Sequence, residues 1–267
     1  MTTLLLHGLG ADRRQPLELF APAVRAVAGD DELVIAPDVR AHGGYLTVGE
    51  PADFAIDRLA AEVAETTRAQ VLEATGREPG DGEPLTVIGL SMGAAIALRL
   101  LIGELLPIDR AVFVRPSFDD RALPGNLRPF PVIGQLLLDA GPAGAQEFRE
   151  REVYQRIADE SPAAAKGLLS QFTSPDAARR AMRLVEIPRN RAFVHDGELA
   201  EVSARGVRTL VVAAPRDPVH PVPVGERWAG ALGAPLAMLT ERDAGPARQN
   251  AVLAEHLANW LERVRRA

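Results

Sequence analysis

Ser91 stands in the run Gly89-Leu90-Ser91-Met92-Gly93, which has the form G-x-S-x-G. The residues before it, 85–88, are Leu-Thr-Val-Ile, a short apolar run of the kind a buried strand needs. Those after it, 93–97, are Gly-Ala-Ala-Ile-Ala and read as the start of a helix of small side chains. A serine on such a sharp strand-to-helix turn is strained and presents its hydroxyl at the edge of the sheet. The turn closes only if the residues two before and two after are small, and both are glycine. At a helix N-terminus, N–H groups without intrahelical partners favour an anion forming beside Ser91. The chemistry implied is attack by a serine hydroxyl on a carbonyl carbon.

That attack needs a base to accept the hydroxyl proton and a third group to hold the base. The chain has five histidines. His220 follows Asp217 by three residues, after the apolar run 209–213. It is either the base or, with Pro221, a residue that shapes the loop after Asp217. His195, in Phe193-Val194-His195-Asp196-Gly197, could supply a proton or bind substrate from a segment lying over the pocket. His256 lies within a helical stretch and reads as a packing or surface residue. Asp243 becomes a candidate base if burial raises its pKa.

Arginine recurs where strands end: Arg13 and Arg14, then Arg115, Arg216 and Arg242. In open α/β sheets ligands bind outside the carboxyl ends of the strands, and guanidinium groups there suit a carboxylate or phosphate. Against this, the chain uses arginine throughout its surface. Arg115, directly after a buried strand, is the first choice as a substrate-binding residue, with Arg14 beside it.

The elements that must position these residues alternate. Apolar runs at 4–6, 33–36, 85–88, 111–114, 209–213 and 235–239 read as strands buried on both faces, hence parallel. Amphipathic stretches at 17–28, 54–75, 92–106, 224–232 and 251–265 read as the helices between them. The expected fold is therefore α/β, a six-stranded, mostly parallel doubly wound sheet. Residues 116–206 contain no strand-like run and read as a helical cap inserted into a core of 1–115 and 207–267. Within the insertion, Ser161-Pro162 and Ser174-Pro175 each place a capping hydroxyl before a proline, predicting helices over 163–172 and 177–187.

The 267 residues suit one such domain, and 47% hydrophobic with 25% charged residues is ordinary for a globular chain. A net charge of -6 points away from nucleic acid. The absence of cysteine excludes disulfides, thiolate metal sites and a cysteine nucleophile. The first residues lack a basic start, and no apolar run approaches the roughly 20 residues that span a bilayer. A cytoplasmic protein without a membrane partner is expected. No carboxylate or histidine run has metal-ligand spacing, so no cofactor or metal is expected.

Four motifs in order resemble those of the α/β-hydrolase superfamily, in its helical-cap branch. They are His7-Gly8-Leu9-Gly10, Asp38-Val39-Arg40-Ala41-His42-Gly43 with alanine where glycine is usual, the turn at Ser91, and Asp217 at a strand end. The resemblance implies that Ser91 is the nucleophile and Asp217 the catalytic acid. It also implies that the backbone groups of Leu9 and Met92 form the oxyanion hole, and that His7 and His42 hold loop backbone in place. Two departures stand out. The family's N-terminal hairpin is not present before residue 7, which makes the strand at 33–36 an edge, to be covered or paired in a homodimer. The family's catalytic histidine belongs in the loop at 240–250, which contains none, Gly245-Pro246 standing where Gly-His is expected.

The function these readings support is a serine-dependent hydrolase, carboxylic-ester-hydrolase-like. Its substrate is a small ester, thioester, lactone or related carbonyl compound, an anionic one if the arginines bind it, with His220 as the base of an atypical triad. The alternative is a protein of the same fold that binds a ligand, or runs chemistry without acylation, under the cap. A scaffold that pairs through the edge strand is a third reading.

Overall fold

The structure, a computed structural model, describes residues 2–81 and 84–266. Each apolar run forms a strand: β1 (Thr2–Leu6), β2 (Leu33–Ile35), β3 (Leu85–Leu90), β4 (Ile108–Val114), β5 (Arg208–Ala213) and β6 (Leu236–Met238). All neighbours pair in parallel, in the order β2-β1-β3-β4-β5-β6. The chain runs outward from β1 to β2, returns past β1 to β3, and then proceeds to β6. The order reverses between β1 and β3, so the loop after β1 and Ser91 after β3 open onto one crevice, where sheets of this kind bind ligands.

Parallel strands need crossovers, and here these are helices. They are α1 (Arg14–Ala28), α2 (Ile56–Thr75), α3 (Met92–Ile102), then α4 (Pro129–Ala140), α5 (Gly144–Glu150), α6 (Glu152–Glu160), α7 (Pro162–Leu169), α8 (Met182–Glu186) and α9 (Asp196–Ala204). After β5 come α10 (Val222–Leu232) and α11 (Pro246–Arg266). Alternate strand residues feed two cores. Leu5, Ile88, Val112 and Val212 meet Phe20 and Val24 of α1 and Leu257 and Trp260 of α11. Leu4, Leu6, Val87, Phe113 and Val211 meet the small face of α3, with α2 and α10. Among the described residues no helix is long and apolar enough to cross a membrane.

Between β4 and β5 the described chain forms helices and no strand. Ser161 caps α7 as expected, its Oγ accepting from Ala164 N at 3.2 Å. Ser174 does not start the second predicted helix. Its Oγ donates to Gln171 O at 3.1 Å, and Asp176 takes a φ of +53°, which an α-helix cannot continue through. Residues 175–181 are turns instead, and α8 begins only at Met182. The last helix of the segment, α9, packs against α3 and α10 in the layer flanking the sheet.

The glycines around Ser91 have no room for a side chain. A Cβ at Gly89 would stand 2.2 Å from Gly93 O, and one at Gly93 would stand 2.5 Å from Leu6 O. Alanine in place of glycine usually stabilises a helix by about 1 kcal/mol. Gly93→Ala is expected to do the reverse, because its obstacle is the backbone of β1, lowering stability by about 2 kcal/mol. Urea unfolding decides it, and a midpoint at or above that of the unsubstituted protein refutes the packing argument.

Candidate active site

Ser91 follows β3 with φ +54° and ψ −110°, in a region that costs on the order of 1–3 kcal/mol for a residue with a side chain. The surrounding structure holds it there: Ser91 N donates to Val114 O at 2.9 Å, and the two glycines let the turn close. The strand ends beside it are built alike. Arg115 after β4 has φ +48°, Arg216 after β5 has φ +53°, and Arg115 N donates to Val212 O at 2.7 Å. Such strain gathers at the carboxyl edge of the sheet, where side chains must be turned toward the crevice.

His220 Nε2 lies 3.0 Å from Ser91 Oγ, and His220 Nδ1 lies 2.9 Å from Asp217 Oδ2. With Nδ1 protonated, His220 donates to the carboxylate and accepts from the serine hydroxyl. A turn stapled by Asp217 makes this possible over only three residues. Asp217 Oδ1 accepts from Val219 N at 3.3 Å and His220 N at 3.2 Å, folding the chain back so that Oδ2 meets the ring. From the far side Asn126 Nδ2 donates to Val219 O at 2.8 Å and Ser117 O at 2.9 Å. Ser117 Oγ lies 3.1 Å from Ser91 Oγ.

The electrostatics suit a base. Burial alone would raise the Asp217 pKa, but His220, Arg242 and Arg115 outweigh it and hold the carboxyl far below the usual range. Arg242 Nη1 donates to Asp217 Oδ2 at 2.7 Å, and Arg115 Nη1 stands 3.7 Å from the same oxygen. Burial pushes His220 below its ordinary value of 6.5; Asp217 opposes this, and Arg242 and Arg115 add to it. His220 is therefore neutral at pH 7 and free to accept a proton. If catalysis runs through it, kcat/KM falls on acidification with a midpoint below 6.5, and Arg242→Met, which removes a lowering charge, moves that midpoint up. A pH–rate profile tests both signs, and a downward shift in the variant contradicts the charge arrangement.

The loop after β1 is tied on both sides of Leu9. Gly8 N donates to Gln15 Oε1 at 2.8 Å and Gly10 N to His42 Nε2 at 3.0 Å. His42 Nδ1 in turn donates to Arg40 O at 2.7 Å, and His7 Nε2 accepts from Val39 N at 3.0 Å. Burial first of all holds both rings below their ordinary pKa, so they are neutral props for backbone. Ala41 adopts φ +60°, which explains why glycine suits that place in the motif. Leu9 lines the cavity with Ser91, and Met92 N is the first amide of α3, a position that has no intrahelical acceptor.

That cavity, about 260 Å³, is lined also by Phe130 of α4, Leu168 of α7 and Gln171. His195 does not line it, and is exposed at the start of α9 beside Gly197. Arg14 does not line it either. Its guanidinium is mostly exposed and grips Asp12 at 2.6 Å on an adjoining cavity. Asp243 Oδ1 accepts from Ala163 N at 2.8 Å, which holds its pKa down and leaves it no proton-accepting role. His256 meets Met238 O at 3.1 Å on the surface. Arg115 and Arg242 do line the cavity. Among the described residues no group of three or more His, Asp or Glu side chains could hold a metal ion.

The family model described as the alpha/beta hydrolase family matches residues 3–263. The chain belongs to the alpha/beta hydrolase family. No curated protein matches its sequence significantly. A hydrolase from Pseudomonas aeruginosa PA01 is similar in structure, at 17% identity and TM-score 0.65 over 97% of this chain and 89% of that one. A thermophilic esterase from Thermogutta terrifontis is similar at 20% identity and TM-score 0.65, covering 99% and 90%. MenH from S. aureus is similar at 17% identity and TM-score 0.65, covering 98% and 94%. At these identities the likeness is one of fold.

Within this alpha/beta hydrolase, the loop at 240–250 carries Arg242, which occupies Asp217, while Gly245-Pro246 opens α11. The histidine beside the serine comes from the loop after β5 instead. Ser117, Asn126 and Gln171 escaped the sequence reading. Nothing local marks them: Asn126 holds Val219 O across 93 positions, Ser117 meets Ser91 across 26, and Gln171 is set apart only by lining the cavity.

Proposed function

We propose that this alpha/beta hydrolase is a serine hydrolase of a small ester, thioester, lactone or related carbonyl compound, working through Ser91, His220 and Asp217. The observation that carries the reading is the 3.0 Å contact of Ser91 Oγ with His220 Nε2, continued at 2.9 Å to Asp217. It supports hydrolysis over ligand binding alone, because the reading of a serine without a base loses its ground. Ser91 Oγ attacks the carbonyl carbon as His220 takes its proton. The oxyanion is held by Leu9 N–H and Met92 N–H, each worth about 3 kcal/mol of barrier. Collapse expels the alcohol or thiol, which leaves with the proton from His220. Water, deprotonated by His220, then attacks the acyl-serine and frees the acid. Helices α4–α7 act as the cap that sets substrate size, and a cavity of about 260 Å³ favours a small acyl group.

A fluorophosphonate probe tests this. The expected result is one adduct on the peptide containing Ser91, lost in Ser91→Ala and greatly slowed in His220→Ala. A folded protein that takes no adduct contains no activated serine, and the ligand-binding reading then replaces this one.

A further inference from the structure

Among the described residues, two guanidinium groups and no carboxylate face the cavity around Ser91. The groups belong to Arg115 and Arg242. Their common counter-charge, Asp217, has a fully buried side chain and lies behind them. Arg242 holds it at 2.7 Å, whereas Arg115 stays 3.7 Å away and spends its short bond on a neutral acceptor, Gln249 Oε1, at 2.7 Å. The Nε atoms of both arginines are buried and lack a hydrogen-bond partner among the described residues. His220, which leans on the same carboxylate, is neutral and adds no charge to the tally. One carboxylate thus faces two guanidinium groups.

The other acids nearby do not repair the imbalance inside this cavity. Asp12 is gripped by Arg14 and, with Glu18, lies on the adjoining cavity, whose wall Arg115 and Arg242 also form. Glu241 pairs with Arg216 at 3.6 Å on the surface. A poorly solvated charge without a counter-ion is costly, so a bound anion would supply what the fold leaves out. Guanidinium groups match the two oxygens of a carboxylate.

We propose that the substrate of Ser91 carries a carboxylate, bound by Arg115 and Arg242 in the cavity that also receives the scissile carbonyl. Because that cavity is only about 260 Å³, the carboxylate sits a few bonds from the carbonyl, as in the half-ester of a short dicarboxylic acid. The reaction step rests on the serine-hydrolase reading, but the anion site does not.

Monomethyl succinate and dimethyl succinate present the same acyl chain with and without the charge. The expected result is a kcat/KM ratio of at least about tenfold in favour of the half-ester, falling toward one in Arg115→Met and Arg242→Met. The ratio is the readout because an arginine that acted only by positioning Asp217 would slow both esters alike. A wild-type ratio near one, or equal losses on both esters, overturns the proposal. Protection needs no variant: succinate should slow fluorophosphonate labelling of Ser91, and neutral succinamide of the same size should not. Equal protection overturns it as well. If Ser91 takes no label at all, the hydrolase reading fails, and calorimetric titration of the wild-type protein judges the anion site alone. Binding of succinate but not succinamide then sustains the site, and absence of succinate binding ends it.

Discussion

His220→Ala is expected to lower kcat/KM for a small ester about 10⁴-fold while leaving the fold nearly as stable as before. The size of the loss follows from the contacts. Nε2 of His220 is 3.0 Å from Ser91 Oγ, and the other neighbour of that hydroxyl, Ser117 Oγ at 3.1 Å, is no base. What survives is the stabilisation supplied by the oxyanion donors and by binding, which His220 does not touch. The fold tolerates the change because Asp217 keeps its ion pair with Arg242 and its bonds from Val219 N and His220 N, both backbone groups. Ester turnover and a urea midpoint measured on the same preparation check the two halves together. Activity above about a tenth of wild type would mean that another group accepts the proton. Because the residues act as one unit, Ser91→Ala combined with His220→Ala should be no slower than either alone.

The contrast between what the chain announces and what it hides runs along the distance over which each constraint acts. The turn at Ser91 is legible because its demands are local: an apolar run, a glycine on each side and a helix of small residues, all within 13 positions. The six strands are legible for the same reason, since burial on both faces leaves each as an unbroken apolar run. The base is legible only as one of two readings of His220. Whether His220 reaches Ser91 depends on the Asp217 turn and on Asn126, 93 positions away, holding Val219 O. The loop at 240–250 looks empty by sequence, yet Arg242 crosses 25 positions to take Asp217. Ser174 shows the converse failure. It has the residue type and the following proline of a helix cap, and a single left-handed residue, Asp176, cancels the signal.

Asp217→Asn is expected to match His220→Ala in activity lost, about 10⁴-fold, and to differ from it by destabilising the fold. The activity falls because an amide cannot stabilise the imidazolium and can present an N–H that forces the wrong tautomer on His220. Stability falls because Asp217, with its side chain fully buried, is the counter-charge of Arg242 at 2.7 Å and of Arg115 at 3.7 Å. Removing one member of a buried pair typically costs about 3 kcal/mol, since the other charge stays behind. Arg242→Met in the same chain removes one of the two stranded charges. The double variant should therefore recover about 1–2 kcal/mol relative to additivity, read from urea midpoints of the four proteins. Its turnover should stay as low as that of Asp217→Asn, because no carboxylate has returned to His220. Single-variant losses that simply add, within about 0.5 kcal/mol, would deny the coupling. Recovery of stability without recovery of rate would separate two jobs held by one carboxylate. Neutralising the arginines is a matter of charge and can be met by deleting a charge, whereas orienting His220 is a matter of geometry and cannot.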